Sequence, residues 1–296
     1  MRLGRRVLER RAARVPPRAS AGWRPAGWRP AGWLAAALLM AAAPVQAADL
    51  LLICDVGGPG DALQAQAQLD RFLRFAEKEA GLEAGRLTGQ YHTDARDCRE
   101  AAEKTPPALV ALDVVTWLQQ RTAWKLDAIG HFGGPEARRL HLLARPGGPS
   151  DRAALKGQTI ATTLDDAAFV DRVALGGALG DGGVTLATVK RPLKAVRQAA
   201  KGEVAAALVD DAARTAAGEI GLDPAPVTIF TSEGLPGLTV GAVPGVDAAL
   251  VAALQKAMPR LCGGDGAELC ALMGVHTARA ADAAGLDALQ KRYAAP

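Results

Sequence analysis

After residue 47 the chain has no uninterrupted apolar run of the roughly 20 residues that a membrane-spanning helix needs. Aromatic residues are also rare, with 5 Trp, 2 Tyr and 5 Phe in 296 residues, and they form no stacking platform for single-stranded nucleic acid. The body of the chain has no basic stripe that would contact phosphates. These absences argue against a membrane-embedded protein and against a nucleic-acid partner.

The net positive charge lies entirely in the first 47 residues, which contain nine arginines and one glutamate. The remainder holds 26 of the 35 basic side chains and 30 of the 31 acidic ones. The basic start leads into an apolar core, LAAALLMAAA at 34–43, and then into PVQA, whose small residues suit a signal-peptidase site. We predict a signal peptide at 1–47, cleaved after Ala47 with Ala48 as the alternative, and a periplasmic product.

Catalytic signatures are also missing from the sequence. The four histidines, at 92, 131, 141 and 276, show no HExxH spacing, and no GxSxG elbow is present. The stretch GGPG at 57–60 has neither the GxGxxG spacing of a dinucleotide site nor the lysine of a P-loop. We therefore expect a protein that is not an enzyme and that needs neither a cofactor nor a metal.

All four cysteines follow the predicted leader, and an even number of cysteines in an exported protein favours disulfides. Cys262 and Cys270 enclose the short loop GGDGAEL and are expected to pair. Cys54 and Cys98 then remain as the second pair. A metal site at His92, Asp94 and Cys98 is the alternative, although no second pair of ligands stands at a zinc spacing.

Strand and helix patterns alternate along the body of the chain. Continuous apolar runs, such as DLLLICDV at 49–56 and PALVALD at 107–113, are typical of buried parallel strands. Amphipathic segments follow such runs, and a helical tail is expected up to Tyr293. This alternation predicts an α/β protein with two lobes, each a mainly parallel sheet flanked by helices.

Three segments resemble the phosphonate/phosphate-type substrate-binding proteins of ABC importers. They are LKGQTIA at 155–161, PLKAVRQAAKGEVAAALVDD at 192–211 and a Pro-containing strand with the following helix at 234–259. The resemblance implies a periplasmic-binding-protein-like fold in which 48–147 and 236–296 form lobe 1 and 148–235 form lobe 2. It also implies a monomer that closes on a small molecule and delivers it to an inner-membrane ABC permease.

The predicted ligand-binding residues lie where strands end, because ligands of open α/β sheets sit beyond the carboxyl ends of the strands. A tight turn is the alternative explanation for the glycines in this set, and core packing is the alternative for the tryptophan. The set is Gly58, Gly60, Thr116, Trp117, Thr162, Thr163, Asp165 and Asp210.

The second-lobe turn ATTLDDAAF at 161–169 departs from the pattern of phosphonate binders, which place a Ser/Thr/Gly-rich turn at a helix N-terminus. Thr162 and Thr163 offer hydroxyls, but Asp165 and Asp166 add two negative charges, which helix capping also explains. The ligand therefore stays open between a protonated phosphate, an aminophosphonate whose ammonium meets Asp165, a cationic or neutral ligand, and none.

The adjacent carboxylates Asp210 and Asp211 follow the apolar run VAAALV, and side chains alternate direction along a strand. Only one of them is therefore expected to face a cleft. We predict that Asp210 faces the cleft as a hydrogen-bond acceptor and that Asp211 caps the next helix. The alternative to a transport receptor is an orphan binding-type domain that acts as a sensor or an interaction protein.

Overall fold

The computed structural model of the chain describes residues 48–55, 62–134, 136–180 and 183–295, and the side chains of 62–64 are not described. The predicted signal peptide at 1–47 and the glycines Gly58 and Gly60 lie outside the described residues. Within the described ranges, every helix is too short or too polar to cross a membrane.

The elements alternate along the chain as the sequence pattern indicates. In chain order they are β1 (Asp49–Cys54), α1 (Ala62–Ala80), β2 (Leu87–His92), α2 (Ala95–Lys104), β3 (Leu109–Leu112), α3 (Val114–Trp124), β4 (Asp127–Gly133), β5 (Leu140–Ala144), β6 (Thr159–Thr162), β7 (Thr185–Thr188), α4 (Pro192–Lys201), β8 (Ala206–Asp210), α5 (Asp211–Glu219), β9 (Val227–Thr231), β10 (Leu238–Ala242), α6 (Ala248–Ala257), α7 (Gly266–Leu272), β11 (Thr277–Ala280) and α8 (Ala283–Ala294). A π-helical turn at Phe169–Ala174 follows β6, in a segment that the sequence pattern predicts to be an α-helix.

The strands form two sheets. The first has the order β11-β4-β10-β3-β1-β2 and the second has the order β7-β6-β8-β5-β9. In the first sheet β1 pairs in parallel with β2 and β3, and in the second sheet β6 pairs in parallel with β7 and β8. The predicted α/β fold with two helix-flanked sheets is confirmed.

Both sheets are mixed, which differs from the expectation of mainly parallel pairing. β10 is antiparallel to β3 and β4, and β5 is antiparallel to β8 and β9. The chain crosses between the sheets after β4 and again after β9, at the edges where the parallel strands end. The strand that receives each crossover therefore begins at that edge and runs in the opposite direction.

Two elements lie elsewhere than the sequence pattern indicates. β5 bonds to β8 and β9, so a boundary between residues 147 and 148 separates this strand from its own sheet. β11 interrupts the segment predicted as a helical tail and pairs antiparallel with β4. β4 is itself a strand for which the sequence pattern gave no prediction.

Apolar side chains cover both faces of the first sheet. On one face Leu51 belongs to a core with residues of α1, α6 and α7. On the other face Leu52 belongs to a core that continues through α3 into the second sheet, where Leu142 and Ile160 are fully buried. The second sheet has a further small-residue core, which includes four buried side chains of α4.

The structure contains two disulfides, one between elements far apart in sequence and one that closes a short loop. Cys54, at the end of β1, is bonded to Cys98 of α2, with their Cα atoms 6.0 Å apart. Cys262 is bonded to Cys270 of α7, with a Cα–Cα distance of 5.5 Å. Cys98 is therefore unavailable as a metal ligand beside His92 and Asp94.

Candidate functional site

The two crossover segments are bonded to each other. The N–H of Leu235 donates to the carbonyl of Arg138 at 2.8 Å, and the N–H of Leu140 donates to the hydroxyl of Ser232 at 2.9 Å. Because both segments leave from strand ends, they join the carboxyl-end edges of the two sheets. Charged side chains from both edges meet at this place.

Arg138 is the basic group of this region. Its Nη2 lies 3.9 Å from Oδ2 of Asp210, which ends β8 in the second sheet. Its charge also acts on Asp55, which follows β1 in the first sheet. Asp113, which follows β3, acts on Asp55 in turn. We call Asp55, Asp113, Arg138 and Asp210 the strand-end cluster.

The surroundings of Asp55 raise the pKa of its carboxyl above the usual value. Burial raises the pKa of this carboxyl, the negative charge of Asp113 raises it further, and Arg138 lowers it only in part. Tyr91 of β2 lies near enough to be affected, because burial and the charge of Asp55 raise the pKa of its phenol to about 12. A donor from a ligand would therefore meet a carboxyl that is incompletely solvated.

Asp113 has a capping role that fixes the start of α3. Its Oδ1 accepts from the N–H groups of Val115 and Thr116 at 2.9 and 3.1 Å, and its Oδ2 accepts from the Thr116 hydroxyl at 2.7 Å. Thr116 is a predicted ligand-binding residue, and its hydroxyl already donates a hydrogen bond to Asp113. Its place at the strand end agrees with the prediction, while a contact with a ligand stays a prediction.

The structure gives the capping role expected for Asp211 to Asp210, the last residue of β8. Asp210 is the N-cap of α5, since its Oδ1 accepts from the N–H of Ala213 at 2.9 Å, and its Oδ2 faces Arg138. Asp211 instead lies 2.8 Å from Nε2 of the buried His141 and accepts from the N–H of Arg139. The alternation along the strand does separate the two side chains, but the capping residue is the first one.

His141 of β5 links this strand to β9 and to the start of α5. Its Nδ1 lies 3.0 Å from the hydroxyl of Thr231 in β9, and its Nε2 contacts Asp211. Burial would raise the pKa of Asp211, but hydrogen bonds from His141 and from the Arg139 amide outweigh burial and lower it. The histidine is a satisfied core residue that ties the crossover end of β5 to β9 and to the start of α5.

The polar residues of the turn after β6 differ in how deeply they are buried. Thr162 is fully buried, and its hydroxyl accepts from the N–H of Leu164 at 3.3 Å. Thr163 and Asp165 are exposed. Asp166 instead carries the structural bonds of the turn, so Thr162 and Asp165 are not brought into one pocket by the described contacts.

Asp166 connects the second sheet to helices on the first. Its Oδ2 accepts from Nε2 of Gln119 in α3 and from the hydroxyl of Tyr293 in α8, both at 2.8 Å. Burial would raise the pKa of Asp166, but the bonds from Gln119, from the Phe169 amide and from Tyr293 outweigh burial and hold the pKa below its usual value. Burial and this carboxylate raise the pKa of Tyr293 to about 12.

Replacing Asp166 by alanine is expected to lower the free energy of unfolding by about 1 kcal/mol at pH 7, because Gln119 and Tyr293 lose a charged acceptor that is partly solvated. Since the folded-state pKa is depressed, this contribution is present above the unfolded value of 3.8 and is lost as the pH falls through the folded value. Urea unfolding of the unchanged protein and of the Asp166→Ala variant, at pH 7 and near pH 3, measures the difference in their free energies of unfolding. A gap that stayed constant between these pH values would contradict a role for the ionised carboxylate.

Trp117 lies in the core and not at the cleft. Its side chain is 0 % exposed, and the ring packs over Gly241 of β10, where a Cβ atom would come within 2.8 Å of the indole. The core-packing alternative for this residue is therefore the one that the structure shows.

Three residues of the strand-end cluster were absent from the predicted set. Asp55 and Asp113 each follow a buried strand directly, and Asp210 is the last residue of one, so the same strand-end rule would have found them. Arg138 stands in a crossover segment without local pattern, and only the tertiary structure brings it to Asp210.

The chemistry available at the strand-end cluster is recognition by charge and hydrogen bonding. One guanidinium and three carboxyl groups offer both a partner for an anion and acceptors for a donor. Within the described ranges, no group of three or more His, Cys, Asp and Glu residues is arranged to hold a metal ion.

Two sheets joined by a pair of crossovers, with polar groups at the joined strand ends, define the periplasmic-binding-protein fold, and solved structures share it. One is XAC2383 from Xanthomonas citri bound to ATP, with a TM-score of 0.64 at 11% identity over 83% of this chain and 97% of that one. Another is the binding protein component of an ABC phosphonate transporter from Pseudomonas aeruginosa, with a TM-score of 0.55 at 9% identity over 83% and 86%.

A third structure with this fold is PhnD1 from Prochlorococcus marinus in complex with methylphosphonate. Its TM-score is 0.57 at 8% identity, over 82% of this chain and 97% of that one. No protein-family profile matches the chain, and no curated protein matches it by sequence. The likeness therefore establishes the two-lobed fold.

Proposed function

We propose that the protein is an exported solute-binding protein that captures a small ligand between two lobes and delivers it to an inner-membrane ABC permease. The observation that carries this proposal is the strand-end cluster, in which Arg138 of a crossover lies 3.9 Å from Asp210 of the second sheet and its charge acts on Asp55, which follows β1 of the first. A ligand that contacts all three groups would hold both lobes together. Domain closure about the crossovers is the motion that such a receptor needs.

The lobes follow the two sheets in this proposal. We place the lobe boundaries in the crossover segments between β4 and β5 and between β9 and β10, so that β5 moves with the second lobe. The first lobe then contains the first sheet with the segment from β10 to the C-terminus. Two short bonded segments bend together more readily than either packed sheet deforms.

Export is supported by the two disulfides, which are typical of oxidising compartments such as the periplasm. The Arg-rich start and apolar core of residues 1–47 agree with a cleaved signal peptide. The ligand would therefore be taken from the periplasm.

The ligand class follows from the charges of the strand-end cluster. A phosphonate or phosphate group has one guanidinium partner, Arg138, and would face nearby carboxyl groups of Asp113 and Asp210. An ammonium group on the same ligand would interact favourably with these carboxyl groups, because it can donate charge-assisted hydrogen bonds to them. We therefore favour an aminophosphonate over a simple dianion, with its ammonium at the carboxyl groups of the cluster in place of the exposed Asp165.

Thermal unfolding of the purified protein with phosphate, phosphite, methylphosphonate and 2-aminoethylphosphonate tests this function. We expect 2-aminoethylphosphonate to give the largest stabilisation, about 2.7 kcal/mol at 100 times its dissociation constant. Arg138→Gln is expected to remove this stabilisation, because the phosphonate loses its only basic partner in the cluster.

Arg139→Gln is the matched control, since this neighbouring side chain is also exposed and only its backbone N–H contacts Asp211. It should keep the stabilisation of the unchanged protein. If none of the four compounds shifts the unfolding temperature, the oxyanion-receptor function is wrong, and a sensor or interaction domain becomes the better interpretation.

A further inference from the structure

The first lobe contains a cavity of about 470 Å³ on the α1 face of its sheet. Its floor is the sheet, and its walls are α1 and the segment that follows α7. Most of the lining is apolar, with Leu51, Ile53, Leu69, Phe72 and Phe132 among the side chains that face it.

The cavity is large enough to hold a small molecule. Protein interiors contain few voids larger than a water molecule, and an apolar cavity of about 150 Å³ already binds benzene. Sites for small molecules commonly measure about 300 to 1,000 Å³. Small side chains keep this space open, because Ala65 of α1 and Ala111 of β3 line it where larger residues would fill it.

Three polar side chains contribute to the lining of the cavity. Asp55, Gln68 and Tyr91 line it together with the apolar residues. Oε1 of Gln68 is buried and has no hydrogen-bond partner among the described residues. A buried acceptor without a partner is costly, so a donor is expected to come from a bound molecule.

We propose that this cavity binds the apolar body of a small primary amine, with the ammonium group at Asp55 and Oε1 of Gln68. The two acceptors take N–H donors that a carboxylate ligand does not have, and the aliphatic and aromatic walls take a hydrocarbon chain or ring. This site lies beside the strand-end cluster and shares Asp55 with it. It extends the proposed function, because a receptor with this cavity selects ligands by an apolar part as well as by charge.

Four probes separate the contributions of charge and apolar body. Isothermal titration calorimetry and thermal unfolding at pH 7 would use hexylamine, 2-phenylethylamine, ethylamine and hexanoate. We expect hexylamine and 2-phenylethylamine to bind at least tenfold more tightly than ethylamine, which lacks the apolar body, and than hexanoate, which carries the opposite charge. Equal binding of hexylamine and hexanoate, or no binding of hexylamine, would overturn the proposal.

Variants on one helix locate the binding. Ala65→Leu puts a larger side chain into the cavity and is expected to weaken hexylamine binding at least tenfold. Ala67→Leu is the matched control on the exposed side of α1, and it should bind hexylamine as the unchanged protein does. Equal binding by both variants would place the amine outside the cavity and overturn the proposal.

The same variants distinguish this proposal from the proposed function. Arg138→Gln should abolish stabilisation by 2-aminoethylphosphonate without weakening hexylamine binding, because Arg138 does not line the cavity and the positive charge that the variant removes near Asp55 does not attract an ammonium group. Asp55→Asn is expected to bring the affinity for hexylamine down to that for 1-hexanol. An Asp55→Asn variant that still preferred hexylamine tenfold would contradict the placement of the ammonium group.

Discussion

Replacing Trp117 by alanine is expected to lower the free energy of unfolding by about 3 to 5 kcal/mol. The side chain is fully buried between α3 and the sheet, in the core that joins the first sheet to the second. Gly241 of β10 leaves the space that the ring fills, so the alanine variant would leave a cavity between helix and strand. The loss of transfer energy and the cavity add to each other.

Urea unfolding followed by far-UV circular dichroism measures this loss. Trp117→Phe should cost much less, since it keeps an aromatic ring and since the indole N–H has no hydrogen-bond partner among the described residues. Trp124→Ala is the second control, because that residue ends α3 and is only partly buried. If Trp117→Ala unfolded no more easily than Trp124→Ala, the assignment of Trp117 to the core would be wrong.

Removing the disulfide between Cys54 and Cys98 by a double alanine substitution is expected to cost about 4 kcal/mol in the chain-entropy treatment of loop closure. The bond spans 44 residues of sequence and connects β1 to α2, so its loss frees a long segment in the unfolded chain. Both sulfur positions are buried, and alanine introduces no polar atom there.

The disulfide between Cys262 and Cys270 is the internal comparison, because it spans only 8 residues. Its removal is expected to cost about 2.5 kcal/mol by the same treatment. Unfolding midpoints of the two double variants in urea, with and without dithiothreitol, measure the order of the two effects. A larger loss for the shorter loop would show that strain or local packing, and not loop length, determines the contribution of each bond.

The regular part of the fold could be predicted because periodicity is local. The apolar runs that form β1, β3 and β8 predict buried strands, and the amphipathic segment after β1 predicts α1. β4 could not be predicted in this way, because its sequence, DAIGHFG, mixes glycine, histidine and aspartate with few β-branched residues. Gly130 is nevertheless required there, since a Cβ atom would lie 2.6 Å from the Arg279 carbonyl oxygen and from the Met258 side chain.

The candidate site was predictable only where a local rule applied. Asp210 ends a buried strand and was found by that rule, and Asp55 and Asp113, which follow such strands directly, meet the same condition. Contacts that join distant parts of the chain left no such signal, as in the bond from Gln119 to Asp166 across 47 residues and the bond from Tyr293 to Asp166 across 127. The pairing of Arg138 with Asp210 likewise depends on the folded position of a crossover.

The last helix, α8, has a consequence for how tightly a ligand can be held. It bonds to α3 through Arg121 and Asp287, and it bonds to the turn after β6 through Tyr293 and Asp166. The last helix thus connects α3, which packs on the first sheet, to the turn that follows β6 in the second sheet. In the proposed receptor, opening of the two lobes would have to break these contacts, so fewer degrees of freedom would be lost when a ligand binds.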